Sequence, residues 1–309
     1  MPPGVHFTAD HLPADVAARV ASGTWVRVRT GAYIAGPDAS GPAGRELLER
    51  ARLVALARQL RSEHVISHAS AALVWGLPLP RPPRYAHVTG TTHQTGRSRD
   101  VVRHVCALEP DDVATVHGQA VTSLERTAVD CAATLGPHAG LMIADAALRA
   151  GASRSRCLAL LATMRGHRGV AVARAVLDLA DDGAESAGES TARFVLLRAG
   201  LPAPITQLGV PTALGDFWAD LGWPDWRLLG EYDGESKYEG EGAARALRSE
   251  KRRQAAIEAA GYRIVRITRH DVADPSQLVR RIVAAAPDPA AVRVTPRREL
   301  TADRVDDRW

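Results

Sequence analysis

The sequence predicts a mixed α/β chain of the α+β class, built from at least two domains. Three observations carry this. The chain has 309 residues, enough for two domains, with the 46% hydrophobic and 24% charged composition of a globular protein. It opens with a short helical stretch followed by an alternating hairpin, the outline of a winged helix. From about residue 188 the pattern reads helix, three strands, helix, strand, helix.

Each element has a local reason. Residues 8–22 read as a short helix ending at Gly23. Trp25-Val-Arg-Val-Arg-Thr-Gly-Ala-Tyr-Ile34 alternates apolar and basic residues and breaks at Thr30-Gly31, a hairpin pattern. Arg27 and Arg29 then project from one face, suited to phosphate contact; an ordinary amphipathic hairpin with solvated arginines has the same pattern. Residues 43–61 carry Leu47, Leu48, Ala51, Val54, Ala55 and Leu60 on one stripe, which predicts an amphipathic helix. A further helix spans Ser67–Trp75 and stops at Gly76. Short strands near 85–90, 100–106 and 119–121 predict a small sheet. Thr122-Ser-Leu-Glu125 has the form of a capping box opening a helix to about Leu135, and helices at 138–149, 153–164 and 169–181 follow.

The polar, small-residue stretch Asp181–Gly188 marks a boundary. Beyond it come a helix at 188–199, strands at 205–210, 215–222 and 227–233, a helix at 243–260, a strand at 262–268 and a helix at 275–285. The expected domains are a winged-helix-like module at 1–36, a mixed α/β body at 37–182, a second α/β core at 183–286 and a flexible tail at 287–309, rich in charge and proline.

Charge is uneven. Residues 1–180 are net +6 and residues 181–309 net −2, which fits a DNA-tethering module joined to a metal-using one. Lys237 and Lys251 are the only lysines beside 37 arginines. A compact ammonium next to acids suits a phosphate or water, so Lys237 is a candidate functional residue, with a solvated loop position as the alternative. Cys106, Cys131 and Cys157 form no CxxC pair and predict reduced, small core residues in a cytoplasmic protein. The first 25 residues show no signal-peptide pattern, and no apolar run approaches the roughly 20 residues that span a bilayer. No GxSxG or Walker A pattern is present, and Gly240-Glu-Gly lacks the third glycine of a dinucleotide loop. His64 and His68 have no third ligand nearby and read as cap or core residues, while Arg126 and Asp130 read as a helix ion pair.

The most chemically informative stretch is Asp220-Leu-Gly-Trp-Pro-Asp-Trp-Arg-Leu-Leu-Gly-Glu231-Tyr-Asp233-Gly. Pro224, Asp225 and Trp226 supply a turn. Antiparallel pairing about it sets Asp220 opposite Glu231, with Cβ atoms about 4.5–5.5 Å apart. Asp233, two residues on, points the same way. Three acids on one patch repel unless a cation sits among them, and the candidates are a divalent ion and Lys237. Carboxylates holding Mg²⁺ (or Mn²⁺) supply an activated water and a counter-charge for phosphodiester hydrolysis. On this reading Asp220 and Glu231 are the metal ligands, Glu189 completes the set or orients a water, Asp233 joins the catalytic cluster, and Lys237 stabilises the transition state or helps deprotonate the water. Arg248, Lys251 and Arg252, with Arg245, Arg253, Arg263, Arg266 and Arg269, are placed to track a nucleic-acid backbone.

Glu189-Ser, Asp220-Leu-Gly-Trp-Pro, Glu231-Tyr-Asp-Gly, Glu250-Lys-Arg-Arg and Gly261-Tyr-Arg-Ile-Val-Arg-Ile-Thr together resemble the Vsr-like domain of the PD-(D/E)XK endonuclease superfamily, over about residues 183–285. The resemblance implies a three-layer αβββαβ restriction-endonuclease-like core with a metal site at Asp220 and Glu231. The chain departs from the motif at Asp233, which stands where its lysine is expected, so Lys237 would act from the following loop. The loop histidines of the repair enzyme have no counterpart in Gly234–Gly242. In the first half, Gly23-Thr-Trp-Val-Arg-Val-Arg-Thr-Gly-Ala-Tyr, Val65-Ile-Ser-His-Ala-Ser-Ala-Ala-Leu-Val-Trp-Gly-Leu-Pro and Val121-Thr-Ser-Leu-Glu-Arg-Thr-Ala-Val-Asp resemble AbiEi-type antitoxins and transcriptional regulators, over about residues 8–150. That implies a DNA-binding winged helix on Arg27 and Arg29 and an antitoxin-like body. Two expectations follow: a metal-dependent DNA endonuclease, or a non-catalytic regulator that binds its own promoter and has a cognate toxin as candidate partner.

Overall fold

A computed structural model describes residues 4–36, 41–60, 63–91, 100–234 and 243–301, without the side chains of 41–43 and 243–247. The fold is mixed α/β. Val5–Phe7 (β1), Pro13–Ala21 (α1), Trp25–Arg29 (β2) and Ala32–Ala35 (β3) come first, the strands pairing antiparallel in the order β1-β3-β2. α1 is shorter than expected: residues 8–10 form a tight 3-10 turn, and Pro13, with its fixed φ, starts the helix. Gly41–Gln59 (α2) lays Leu47, Leu48, Ala51 and Ala55 over Phe7, Val28, Ala32 and Ile34, so the core of this unit runs past residue 36.

Val65–Ile66 (β4), His68–Trp75 (α3), Ala86–Gly90 (β5), Val101–Val105 (β6), Val113–Val116 (β7) and Gln119–Thr122 (β8) follow. Their strands form a mixed sheet in the order β6-β5-β4-β8-β7. Leu124–Thr134 (α4), Pro137–Arg149 (α5), Arg154–Thr163 (α6) and Val170–Leu179 (α7) pack around Val129, Leu141, Ile143, Leu161 and Leu177. The expected capping box is displaced by one residue. Ser123 caps α4 by accepting the Arg126 N–H, the Thr122 hydroxyl bonds to that of Thr127, and Glu125 accepts the Ser153 N–H. Thr122 is still part of β8, so it is unavailable as a cap.

The remaining elements are Ala187–Ala199 (α8), Ile205–Thr212 (β9), Gly215–Trp223 (β10), Leu228–Asp233 (β11), Ala243–Ala259 (α9), Arg263–Thr268 (β12), Arg269–Ala273 (α10) and Pro275–Ala285 (α11). β9, β10 and β11 are antiparallel, and β12 joins β11 in parallel after the α9 crossover. The αβββαβ order is the expected one. α8 and α11 cover one face, where Leu196, Leu278 and Ile282 meet Leu221 and Leu228. α9 covers the other, where Ile257 meets Val210, Ala219 and Leu229. Consecutive Leu228 and Leu229 are both fully buried because this strand has helices on both faces.

Two further contacts position this core. Buried Asp145 of α5 accepts hydrogen bonds from Arg193 Nη2 at 2.7 Å and Ser190 Oγ at 2.9 Å, both on α8. The segment expected to be a flexible tail docks back instead. Leu300 is buried in the helical core, and the Arg297 N–H donates to the Arg198 carbonyl. Gly200, at the α8 C-terminus with φ +90°, makes this possible, because a Cβ there would enter the Thr295 backbone. Only residues 302–309 of the tail lie outside the described residues. Cys106, Cys131 and Cys157 are free thiols. No helix of the described residues is long and apolar enough to cross a membrane.

Candidate functional site

The acidic site is built on the β10–β11 hairpin. Pro224–Trp226 form a 3-10 turn closed by Arg227 at φ +48°. The ladder pairs Trp223 with Leu228, Gly222 with Leu229 and Leu221 with Gly230, so the next step sets Asp220 across from Glu231. This is the opposition that the turn spacing predicts. The backbone ladder stops there, because the Tyr232 N–H donates to Asp220 Oδ2 at 2.7 Å. The alternation of β10 also breaks at this residue. Ala219 and Leu221 pack into opposite cores, and Gln207, across on β9, sits at φ +47° with no ladder partner at Asp220.

Glu189 is brought to the same place by the start of α8. Gly188 allows the Tyr232 ring of β11 to pass against this helix start, where a Cβ would collide with it. Glu189 Oε2 accepts the Glu185 N–H at 2.7 Å and Oε1 accepts the Ser186 hydroxyl at 2.8 Å, so both oxygens serve the helix terminus. Burial pushes the Asp220 carboxyl up to about 6; Glu189 and Glu231 add to this, while the Tyr232 N–H and Arg253 oppose it.

Glu231 is 5% exposed and is closed off by two guanidinium groups. Arg253 of α9 binds it bidentately, Nη2 to Oε1 at 2.6 Å and Nη1 to Oε2 at 3.0 Å. Arg266 of β12 reaches Oε2 at 2.7 Å. Arg266 is the parallel-strand register partner of Glu231, so the ion pair follows from the pairing of β11 with β12. Glu250 lies between the same two arginines. The cation that the clustered acids require is therefore supplied by the protein. Arg253 and Arg266, which the sequence assigns to a nucleic-acid backbone, turn inward. The one legible signal was that acids need a cation; which cation depends on long-range register.

Of the predicted catalytic set, Glu189, Asp220 and Glu231 come together. Asp233 ends β11 exposed to solvent, where the chain leaves the sheet. Lys237 lies outside the described residues. The oxygens of Glu231 and Glu189 are engaged, as is one of Asp220. Among the described residues no group of three or more His, Cys, Asp or Glu is arranged to hold a metal ion. A hard ion such as Mg²⁺ takes near-octahedral oxygen ligation, so among the described residues Glu231 would have to release Arg253 and Arg266 to offer it oxygens.

The predicted DNA-contacting residues divide. Arg248, Lys251 and Arg252 are exposed, form no ion pair among the described residues, and share a helix face at i, i+3 and i+4. Arg27 is exposed and donates to Thr30 Oγ1 at 2.8 Å. Arg29 does not share its face. A β-bulge between Arg27 and Arg29 breaks the alternation, and Arg29 pairs with Asp100 at 2.7 Å and Gln59 at 2.6 Å.

No family model matches the chain. It is similar to two curated sequences from Mycobacterium tuberculosis, Uncharacterized protein Rv2248 of strain ATCC 25618 / H37Rv and Uncharacterized protein MT2308 of strain CDC 1551 / Oshkosh. Each is 41% identical over 170 residues, which is 54% of this chain and 62% of the relative's length. A solved structure, that of the RV2827C protein from the same species, aligns at a TM-score of 0.38 and 18% identity, covering 57% of this chain and 72% of that one. A likeness of that size carries no argument.

Proposed function

We propose that this chain is a non-catalytic DNA-binding regulator of antitoxin type, in which the nuclease-like core is a binding platform. The observation that supports this is the division of α9. Arg253 locks Glu231 from inside, while Arg248, Lys251 and Arg252 stay exposed on the outer face and form no ion pair among the described residues. A row of unpaired cations suits a phosphate backbone, whose neutralisation releases counterions. A cognate toxin is the protein partner this reading adds. The test is a mobility-shift titration on duplex DNA from the chain's own promoter at several salt concentrations. Arg248→Ala/Lys251→Ala/Arg252→Ala is expected to lower the salt slope by about 3 and weaken binding across sequences. The DNA is expected to stay intact in Mg²⁺ or Mn²⁺. Nicking that disappears in Asp220→Ala overturns the non-catalytic reading.

One observation favours a second reading, metal-dependent hydrolysis of DNA. Glu189, Asp220 and Glu231 converge, and the Asp220 carboxyl is raised by burial first and then by Glu189 and Glu231, as in a cluster of acids able to take up a further cation. That reading requires Glu231 to leave its arginines.

A further inference from the structure

The motif Ser67-His68 lies outside the acidic site and has an unusual local structure. His68 begins α3 at φ +53°, a left-handed conformation that a non-glycine residue adopts at a cost. Ser67 occupies the cap position without capping, since its Oγ lies 2.9 Å from His68 Nδ1. The His68 ring stacks on that of His104 of β6 with centroids 3.5 Å apart, and His104 Nε2 lies 3.0 Å from His87 Nδ1 of β5. Burial pushes His68 down to about 3, with His87 and Arg126 adding, so its ring is neutral.

His68 and His104 line a cleft of about 560 Å³, together with Thr89, Arg103, Arg126, Asp130, His167 and Arg168. The lining thus holds three arginines and one carboxylate. Arg126 is committed to Asp130 at 3.0 Å and Asp112 at 3.4 Å. The side chains of Arg103 and Arg168 line the cleft without a hydrogen bond or ion pair among the described residues. Two polar atoms of the lining, Thr89 Oγ1 and Asp130 Oδ2, are buried without a hydrogen-bond partner among the described residues. Asp130 is 2% exposed, and Oδ2 comes no nearer to His68 Nδ1 than 3.9 Å. Buried groups of this kind are costly to leave unmade, and a polar ligand in the cleft satisfies them.

We propose that this cleft binds a phosphate-bearing small molecule of nucleotide size, with Arg103 and Arg168 holding the phosphate and Thr89 Oγ1 and Asp130 Oδ2 hydrogen-bonding its polar body. The volume lies within the range of small-molecule sites. The planar fork of a guanidinium group presents paired N–H donors to two oxygens of a tetrahedral phosphate, so two such groups suit that ligand. The site is separate from the α9 cation row, so it does not rest on the DNA-binding reading.

The test is calorimetry on the full chain. The probes are inorganic phosphate, the four ribonucleoside 5′-monophosphates, the matching nucleosides, and a single-stranded oligonucleotide with and without a 5′-phosphate. At least one monophosphate is expected to bind saturably, at least about tenfold more tightly than its nucleoside. Arg103→Gln/Arg168→Gln is expected to weaken it by at least about tenfold, and Thr89→Val more modestly. An unchanged melting temperature of the ligand-free double variant shows that the fold is kept. Arg248→Ala/Lys251→Ala/Arg252→Ala is expected to leave monophosphate binding unchanged. The proposal is overturned by no saturable binding of any monophosphate up to about 10 mM, by binding that survives Arg103→Gln/Arg168→Gln, or by binding of the oligonucleotide alone.

Discussion

Replacing Asp220 by Asn is expected to stabilise the protein at neutral pH and to leave stability unchanged in mild acid. Burial holds this carboxyl at about 6 against an ordinary value of 3.8. A gap of about 2 units corresponds to about 3 kcal/mol. Asp220 is only half-buried, and solvent screening at such a site leaves about half of that, about 1.5 kcal/mol. The sign follows from which state loses its proton first. The unfolded chain ionises near pH 4 and the folded chain near pH 6. The stability present below about pH 4 is therefore lost as pH rises to about 6 and stays lost above it. Asparagine keeps an oxygen for the Tyr232 N–H and removes the charge. Urea unfolding of both proteins at about pH 4 and about pH 7.5 measures the difference. A gain near 1.5 kcal/mol at the higher pH and near zero at the lower is the expected result. An equal gain at both, or a loss at the higher, refutes the reasoning. Mg²⁺ added at the higher pH gives a second reading: it stabilises the wild type but not Asp220→Asn only if the acid cluster takes up the ion.

Arg253→Met leaves Glu231 buried with Arg266 alone and is expected to cost about 2–3 kcal/mol in denaturant unfolding. Adding Glu231→Gln should recover part of that loss, and no recovery would show that Arg253 acts through packing. Gly200→Ala, at φ +90° and against the Thr295 backbone, is expected to cost more than about 2 kcal/mol and to speed proteolysis within 287–301. Because the His68 ring is held down to about 3, the unfolded chain takes up a proton first as pH falls. Stability present above about pH 6.5 should therefore be lost on acidification, and His68→Phe, which keeps the ring stack, should flatten that slope between about pH 7 and about pH 5.

Much of the last core was legible locally. The αβββαβ order follows from hydrophobic periodicity, and the Asp220–Glu231 opposition follows from the spacing of the turn at Pro224–Trp226. Other features were not legible. Arg29 and Arg27 part company at a bulge, which no alternating pattern reports. Leu300 and Val292 anchor a segment whose charge and proline content read as loose, with the Arg297 N–H bonded to the Arg198 carbonyl, and such scattered contacts leave no local pattern. His68, His87 and His104 meet only because β5 and β6 pair beside the start of α3.

The sequence by itself determined the elements, their order and the gathering of acids on one hairpin, since periods, turns and caps depend on residues a few positions apart. Tertiary structure alone decided what neutralises those acids. Glu231 meets Arg266 through the register of a parallel strand and Arg253 through the packing of a crossover helix, 35 and 22 residues away in the chain. Such partners are selected by the three-dimensional path of the chain, which local pattern does not record.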